Sequence, residues 1–259
     1  MRPGGWQNDR RARLWVVRAP ETPHPDHVSL LDIHEQTRFG RLATSRLQAR
    51  YACAHALLRS VLAPLLDQPP ERISLAPGEF QRPALADGSR ERLPGLDFNL
   101  SGSGPWLACA LAHDVRVGVD LELGEGRIDV QGLATRLFNP DEQAWMNRQD
   151  DLHAGFCRLW SLKEAVAKAH GEGVGLDFPH LRTVPDTPNP ATLSVDLEAL
   201  QQAGDWRLLS LEGPRRPDSA LALALWGEDI DGTIDLAPPC PEGFEPAGVA
   251  ALAEGCWSP

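Results

Sequence analysis

The sequence lacks the features that mark exported, membrane-spanning or nucleic-acid-binding proteins. Its 259 residues contain no apolar run of membrane-spanning length, and the basic N-terminus has no apolar stretch like that of a signal peptide. We therefore expect a cytoplasmic protein that does not enter a membrane. Acidic residues outnumber basic ones by 36 to 25, and the net charge of −11 argues against a general nucleic-acid binder, because phosphate neutralisation needs a basic surface.

Cysteine is scarce and is not arranged for cross-linking. The five cysteines are odd in number and scattered, and none belongs to a Cys-x-x-Cys pair or a Cys/His cluster. Their spacing therefore does not suggest a zinc site. We expect free, buried thiols in a reducing compartment. P-loop and protein-kinase motifs are also missing, which argues against those classes of phosphotransferase.

Hydrophobic periodicity predicts three helices. Apolar residues at three- and four-residue steps indicate a helix over 41–66. A second helix is predicted from Asn139, with Pro140 at its first position and two acidic residues next to it. A third runs over about 154–170 and is stopped by the glycines that follow it, which are Gly171, Gly173 and Gly175.

Strands are predicted late in each half of the chain, at 105–112, 115–122, 206–212 and 219–226. The first two are expected to be adjacent, with a turn at His113 and Asp114. Each half thus offers a long helix and a late pair of strands, which favours an α/β (α+β) fold of two similar lobes. We assign residues 1–115 to an N-terminal lobe and residues 116–227 to a C-terminal lobe. Residues 228–259, rich in proline, glycine and acids, are expected to be a loosely ordered tail.

Two carboxylates lie close together in the segment VRVGVDLE. Side chains alternate along a strand, so Asp120 and Glu122 share one face, with their Cα atoms about 7 Å apart. Carboxylates this close repel each other unless a positive charge lies between them, and a hard cation with oxygen ligands is a natural partner. The same pattern also fits an ordinary polar strand face, so this segment alone leaves both interpretations open.

A third carboxylate lies in LWSLKEAVAKAHGEG, over 159–173. On a helix, Trp160, Glu164 and Lys168 share a face, and Lys163 lies one step round from them. The structural alternative is an exposed Glu–Lys pair, which contributes only about 0.3–0.5 kcal/mol. Together with the two strand carboxylates, however, this segment favours a Mg²⁺ site beside a phosphate-binding cation.

The two segments resemble the signature of the surfactin-type 4'-phosphopantetheinyl transferases, a G-[VI]-D-x-E strand followed by a W-S-x-K-E-x-x-x-K helix. FNLSGSGPWLACA at 98–110 resembles the family's F-N-[IL]-S-H-[ST]-G strand, and GEFQRPAL at 78–85 resembles its G-K-P segment. NPDEQAW at 139–145 matches the acidic helix start between the two metal motifs. The resemblance covers roughly residues 30–226, nearly the whole chain.

The resemblance implies that the phosphopantetheine arm of coenzyme A is transferred to a serine of an apo acyl or peptidyl carrier protein. It also implies a monomer whose active site lies in the cleft between the lobes. Within that site it implies the roles of individual residues. Mg²⁺ is held by Asp120, Glu122 and Glu164; Lys168 and Lys163 add positive charge beside the phosphates; Glu142 or Glu164 is the candidate base; and Arg38, Arg50, Arg82, Ser101 and Gly102 stand where the family contacts coenzyme A.

The chain departs from the family pattern at two places. Gly102 replaces the family histidine that contacts coenzyme A phosphate, and Gln81-Arg82-Pro83 replaces Gly-Lys-Pro. We expect nearby arginines to supply the missing phosphate contact, because guanidinium binds phosphate bidentately. The departure at Gly102 also keeps an alternative open, a non-catalytic homologue that binds coenzyme A or a carrier protein.

Docking of the carrier needs a local surface, because carrier proteins are usually acidic and a body of charge −11 repels them at long range. The candidates are the apolar residues around the acidic helix start, with ordinary core packing as the alternative. They are Leu137, Phe138, Trp145 and Met146.

Overall fold

The computed structural model describes most of the chain. The described residues are 12–78, 82–124, 128–171, 175–186, 192–201, 203–214, 219–228, 230, 234–236, 238–249 and 251–258. Gln81 and Gly173, which the sequence analysis singled out, lie outside these ranges. Within them, no helix is both long enough and apolar enough to cross a membrane.

Helices and strands alternate irregularly along the described ranges. The helices are α1 (Pro25–Ser29), α2 (Ile33–Gly40), α3 (Ser45–Leu66), α4 (Asp87–Arg90), α5 (Val130–Leu137), α6 (Pro140–Met146) and α7 (Leu152–His170). The strands are β1 (Ala12–Arg18), β2 (Leu75–Pro77), β3 (Pro83–Leu85), β4 (Leu96–Ser103), β5 (Trp106–His113), β6 (Arg116–Leu123), β7 (Arg182–Pro185), β8 (Leu193–Asp196), β9 (Asp205–Glu212), β10 (Ser219–Gly227), β11 (Ile234–Asp235), β12 (Glu245–Pro246) and β13 (Ala251–Trp257).

The chain divides into two compact units. Unit 1 comprises Met1–Asp114 and Thr233–Gly248. In its sheet, β5 pairs antiparallel with β1 and with β4, while β11 and β12 pair with β1. The apolar face of α3 packs against this sheet and forms the core of the unit, with Leu57, Leu58, Val61 and Leu62 packed with Trp15, Val17, Cys109 and Leu111.

Unit 2 comprises Val115–Gly232 and Val249–Pro259. Its sheet has the strand order β13-β9-β10-β6, and every neighbouring pair is antiparallel. Helix α7 packs on one face of the sheet. The core between them includes Leu162, Ala165, Val166 and Ala169 of α7 with Trp206, Leu208, Ala222 and Ala224 of the strands.

Local sequence signals explain where the site-bearing helices begin and end. Asn139 caps α6, since its side chain accepts the N–H of Glu142 while Glu142 accepts the N–H of Asn139. Asp151 caps α7 through the N–H groups of His153 and Ala154. Gly171 ends α7 with φ of 98°, a left-handed conformation that glycine adopts without steric cost.

The mixed helix-and-strand class expected from the sequence is confirmed. Three expectations are corrected. The helix predicted over 41–66 begins at Ser45, capped by Thr44. Strands β5 and β6 are consecutive but not paired, since β5 pairs with β1 and β4 while β6 pairs with β10. The segment 228–259 contains β11, β12 and β13, because its extended backbone satisfies its hydrogen bonds on the edges of existing sheets.

Candidate active site

Strand β6 and helix α7 approach each other unusually closely in unit 2. A Cβ atom on Gly118 would lie 2.0 Å from the carbonyl oxygen of Ala165 and 2.6 Å from the backbone nitrogen of Ala169. Both contacts are to backbone that cannot move aside, so the position requires glycine for close packing. The glycine of the G-V-D-x-E strand therefore brings the motif helix onto the motif strand, and the charged residues of both segments meet there.

Asp120 and Lys168 form an ion pair at this contact. Lys168 Nζ lies 2.6 Å from Asp120 Oδ1 and also donates a hydrogen bond to the carbonyl oxygen of Val119 at 3.1 Å. Asp120 is buried, with 4% of its surface exposed, while a quarter of the Lys168 side chain is exposed. Lys168 thus binds the carboxylate of the strand, whereas the structural alternative was an exposed pair between Glu164 and Lys168 on the helix surface.

Glu164 lies next to the same pair. Burial raises the pKa of Glu164, the Asp120 carboxylate raises it further, and Lys168 lowers it. In the described part of the chain, the buried Oε1 atom of Glu164 has no hydrogen-bond partner. A buried carboxylate oxygen without a donor is costly. This corner of the site is therefore electrostatically suited to an additional cation or proton.

Glu122 extends the acidic face of β6 towards the start of α7. It is partly buried, and its charge, with those of Asp151 and Asp120, adds to burial in raising the pKa of Cys157 to about 12. The Cys157 thiol therefore stays protonated at neutral pH. Across the described ranges, no three His, Cys, Asp or Glu side chains form a group able to hold a metal ion. The structure thus brings Asp120 and Glu164 together but does not assemble the expected trio into a closed ligand set.

Lys163 and Glu142, to which the resemblance assigns a phosphate contact and a proton transfer, form an ion pair in the interior. Both side chains are fully buried, and Lys163 Nζ lies 2.9 Å from Glu142 Oε2. Lys163 Nζ also donates to the carbonyl oxygens of Phe178 and Leu181, each at 2.7 Å. Burial raises the pKa of Glu142 and lowers that of Lys163, and their mutual attraction opposes both shifts. Neither group is open to solvent in this arrangement, so the ion pair lies within the core. The phosphate contact of Lys163 and the proton transfer by Glu142 stay predictions of the sequence.

In unit 1, Arg50 lies beside the glycine that replaces the family histidine. A Cβ atom on Gly102 would be 3.7 Å from Arg50 Cδ, and Arg50 Nη1 donates to the carbonyl oxygen of Gly104 at 3.3 Å. Gly102 is exposed, and Ser101, the preceding residue of β4, is partly buried. The structure therefore places an arginine side chain beside Gly102, where an added Cβ atom would also lie 2.8 Å from Leu107 Cδ2 and displace that side chain.

The other arginines of unit 1 have different surroundings. Arg38 is exposed, with its guanidinium carbon 5.7 Å from the centre of the Tyr51 ring. Arg82 Nε donates to the carbonyl oxygen of Phe98, and Arg82 Nη2 lies 2.8 Å from Asp97 Oδ2. Arg82 therefore anchors the segment before β3 to β4, whereas Arg38 presents its charge to solvent.

The apolar residues expected to dock the carrier belong mostly to the core. Phe138, Trp145 and Met146 are 1%, 8% and 1% exposed and pack with Phe156 and Leu159. An amphipathic helix start buries its apolar side chains by default, and here they face α7. The expected docking role of these three residues is therefore corrected in favour of core packing.

Comparison with known proteins identifies relatives of this chain. A family model described as the 4'-phosphopantetheinyl transferase superfamily matches residues 116–224. The 4'-phosphopantetheinyl transferase HetI of Nostoc sp. is 30% identical over 219 residues, which cover 83% of this chain and 88% of that protein. The chain belongs to the 4'-phosphopantetheinyl transferase family.

Other transferases of this family match shorter parts of the chain. The 4'-phosphopantetheinyl transferase of Bacillus subtilis is 32% identical over 123 residues, covering 46% of this chain and 51% of that protein. Among solved structures, the holo-(acyl-carrier-protein) synthase of Bacillus anthracis in complex with coenzyme A (3',5'-ADP) is 18% identical with a TM-score of 0.36. That match covers 44% of this chain and 96% of that synthase.

Two buried charged pairs of this transferase were not predicted from the sequence, and a pattern could have revealed part of only one of them. Lys163 stands four residues after Leu159 and three before Val166, both buried, so helical spacing already places it on the core face of α7. Glu35 and Arg59 form a buried ion pair with Nη2–Oε2 at 2.8 Å. No local spacing signals that pair, because its members lie on different helices.

Proposed function

We propose that the chain transfers the 4'-phosphopantetheine group of coenzyme A to a serine hydroxyl of an apo carrier protein, with release of 3',5'-ADP. The observation that carries this proposal is the contact of Asp120, Glu164 and Lys168 at the packing of β6 against α7. These three residues stand at the motif positions of the transferase family, and their charges converge at one place. Phosphoryl transfer depends mainly on such positioned charges.

The charge balance of this cluster supports a divalent cation. Glu164 has a buried oxygen without a donor in the described ranges, and the Asp120 charge opposes its ionisation. Asp120, Glu122 and Glu164 would hold Mg²⁺, whose preferred ligands are carboxylate and phosphate oxygens. Bound there, Mg²⁺ would polarise the β-phosphoryl group and offset charge on the departing 3',5'-ADP.

The chain's own residues would perform the remaining tasks. Glu164, or Glu142 as the alternative, is the candidate acceptor for the proton of the carrier serine, directly or through a water molecule. Lys168 would hold Asp120 in place through the 2.6 Å contact and add positive charge beside the phosphates.

Coenzyme A would be contacted by residues of unit 1. We propose Arg38 and Arg50 as phosphate-binding residues, with Ser101 and Gly102 beside Arg50 and a further contribution from Arg82. Arg38 is exposed, Arg50 is partly exposed, and neither has a carboxylate within ion-pair distance in the part of the chain that the structure describes. Magnesium dependence, a cytoplasmic location and a monomeric state stay predictions of the sequence.

The direct test is incubation of the purified protein with coenzyme A, Mg²⁺ and a panel of apo acyl and peptidyl carrier proteins, read by intact mass. We expect one carrier serine to gain a single phosphopantetheine group. Binding of coenzyme A or a carrier without any mass gain across the panel would overturn transfer and favour the non-catalytic alternative that Gly102 leaves open.

Arginine is expected to replace the family histidine in coenzyme A binding. Arg50→Ala or Arg38→Ala should raise the KM for coenzyme A roughly tenfold or more, the loss expected for one hydrogen bond to a charged group. Gly102→His should change that KM by less than about fivefold, because the arginine contact is already in place. Steady-state kinetics with varied coenzyme A provide the measurement.

Arg72→Ala is the matched control, since Arg72 is another exposed arginine of unit 1. It should leave the KM for coenzyme A unchanged. The hypothesis that arginine replaces the family histidine is wrong if the Arg38 and Arg50 variants keep the wild-type KM while Gly102→His lowers the KM strongly.

A further inference from the structure

A single buried carboxylate joins helices α2 and α3 of unit 1. Glu35 Oε2 accepts the backbone N–H of Asp32 at 2.9 Å and lies 2.8 Å from Arg59 Nη2. Glu35 Oε1 accepts Arg59 Nη1 at 3.1 Å and lies 2.6 Å from His55 Nδ1. Glu35 is 7% exposed and Arg59 is 1% exposed. The carboxylate therefore caps α2 and binds two side chains of α3 at once.

The charge of this carboxylate is strongly stabilised. Burial by itself raises the pKa of Glu35, but the hydrogen bond and charge of His55, the Asp32 N–H and Arg59 together lower it to about 2. Arg59 Nε also donates to the carbonyl oxygen of Ile73 at 3.1 Å. The arrangement of α2 on α3 is thus held by several charge-assisted hydrogen bonds in a buried setting.

The network continues through aromatic contacts to the surface. The rings of His55 and Tyr51 have their centres 4.3 Å apart. The guanidinium carbon of Arg38, on α2, lies 5.7 Å from the centre of the Tyr51 ring, within the range of a cation–π contact. Tyr51 is the only tyrosine of the chain. A continuous row of contacts therefore runs from the buried ion pair to an exposed arginine.

We infer that Tyr51 is a positioning residue for coenzyme A binding: its ring holds the Arg38 guanidinium in the phosphate-binding orientation, and Glu35 and His55 hold the ring. This role rests on the proposed function, in which Arg38 contacts coenzyme A. An exposed arginine loses side-chain entropy when it binds a phosphate, and a ring that already restrains the guanidinium reduces that loss. Aromatic character at position 51 is therefore required, and the hydroxyl group is not.

The test compares Tyr51→Leu, Tyr51→Met and Tyr51→Phe, each with and without Arg38→Ala. Coenzyme A affinity is measured by titration calorimetry, and the KM and kcat for coenzyme A by the carrier assay. When Arg38 is present, Tyr51→Leu and Tyr51→Met should weaken coenzyme A binding and raise the KM for coenzyme A roughly two- to fivefold, the effect expected for an exposed cation–π contact. The value of kcat should not change, and Tyr51→Phe should behave as wild type.

The double variants separate positioning from general destabilisation. If Tyr51 acts through Arg38, Tyr51→Leu should have no further effect on affinity once Arg38 is alanine. Additive losses in the double variant, or a Tyr51→Phe variant as weak as Tyr51→Leu, would overturn the positioning role. Wild-type affinity in both non-aromatic variants would also overturn it, while leaving the proposed function intact. Wild-type protein that binds no coenzyme A would instead overturn the proposed function, and this role with it.

Discussion

Asp120→Ala is expected to reduce phosphopantetheine transfer by at least about a thousandfold, a barrier increase of about 4 kcal/mol. Asp120 is buried, pairs with Lys168 at 2.6 Å and raises the pKa of Glu164. Its loss removes a proposed Mg²⁺ ligand and leaves Lys168 to turn towards the Glu164 carboxylate, a proposed proton acceptor. Both changes act on the reacting groups, so the loss should appear in kcat.

The isosteric variant Asp120→Asn separates charge from shape. It should lose nearly as much activity as Asp120→Ala while keeping a melting temperature closer to wild type, because the amide oxygen can still accept a hydrogen bond from Lys168. Asp150→Ala, at an exposed aspartate of unit 2, should leave turnover unchanged. EDTA should abolish wild-type activity, and added Mg²⁺ should restore it. Normal turnover by Asp120→Ala, or full activity in EDTA, would remove the proposed site.

Lys163→Met is expected to destabilise unit 2 by about 3–5 kcal/mol, the usual cost of removing one partner of a buried ion pair. The Glu142 carboxylate would stay fully buried without its cation, and the carbonyl oxygens of Phe178 and Leu181 would each lose one of their donors. Urea unfolding, monitored by tryptophan fluorescence, measures the change in the free energy of unfolding, since Trp145 and Trp160 lie in this part of the fold.

The double variant Lys163→Met/Glu142→Leu tests whether the pair itself is responsible. Because no buried charge remains, it should be more stable than the sum of the two single losses predicts. The folded fraction of Lys163→Met should keep turnover within about threefold of wild type, since the ammonium lies away from solvent. Unchanged stability together with lost turnover would restore the catalytic role that the motif suggests for Lys163.

Features of the fold that depend on neighbouring residues were predicted from the sequence, and features that depend on residues far apart in the chain were not. Asn139 and Pro140 predicted the start of α6, and Gly171 predicted the end of α7, because caps depend on residues within one helical turn. The pairing of strands depends on residues far apart in the chain. Strands β5 and β6, although consecutive, accordingly belong to different sheets. The last 32 residues contain edge strands where a loosely ordered tail was expected.

The same distinction between local and long-range features applies to the candidate site. Spacing placed Asp120 on one strand face and Glu164 with Lys168 on one helix face, and the structure brings these faces together. Spacing does not state which face of a helix meets the core. Lys163 and Lys168 belong to the same motif, yet one is fully buried with Glu142 and the other is a quarter exposed beside Asp120. The difference lies in what packs against each side of α7.

The amino-acid sequence by itself determined the motif positions, the start of α6 and the end of α7, because each follows from periodicity or from residues within one helical turn. Only the tertiary structure decided that Glu142 and Lys163 pair in the interior, that Arg50 lies beside Gly102, and that the Arg38 guanidinium lies over the Tyr51 ring. Burial and charge pairing depend on residues distant in the chain, and those distances close only when the units have folded.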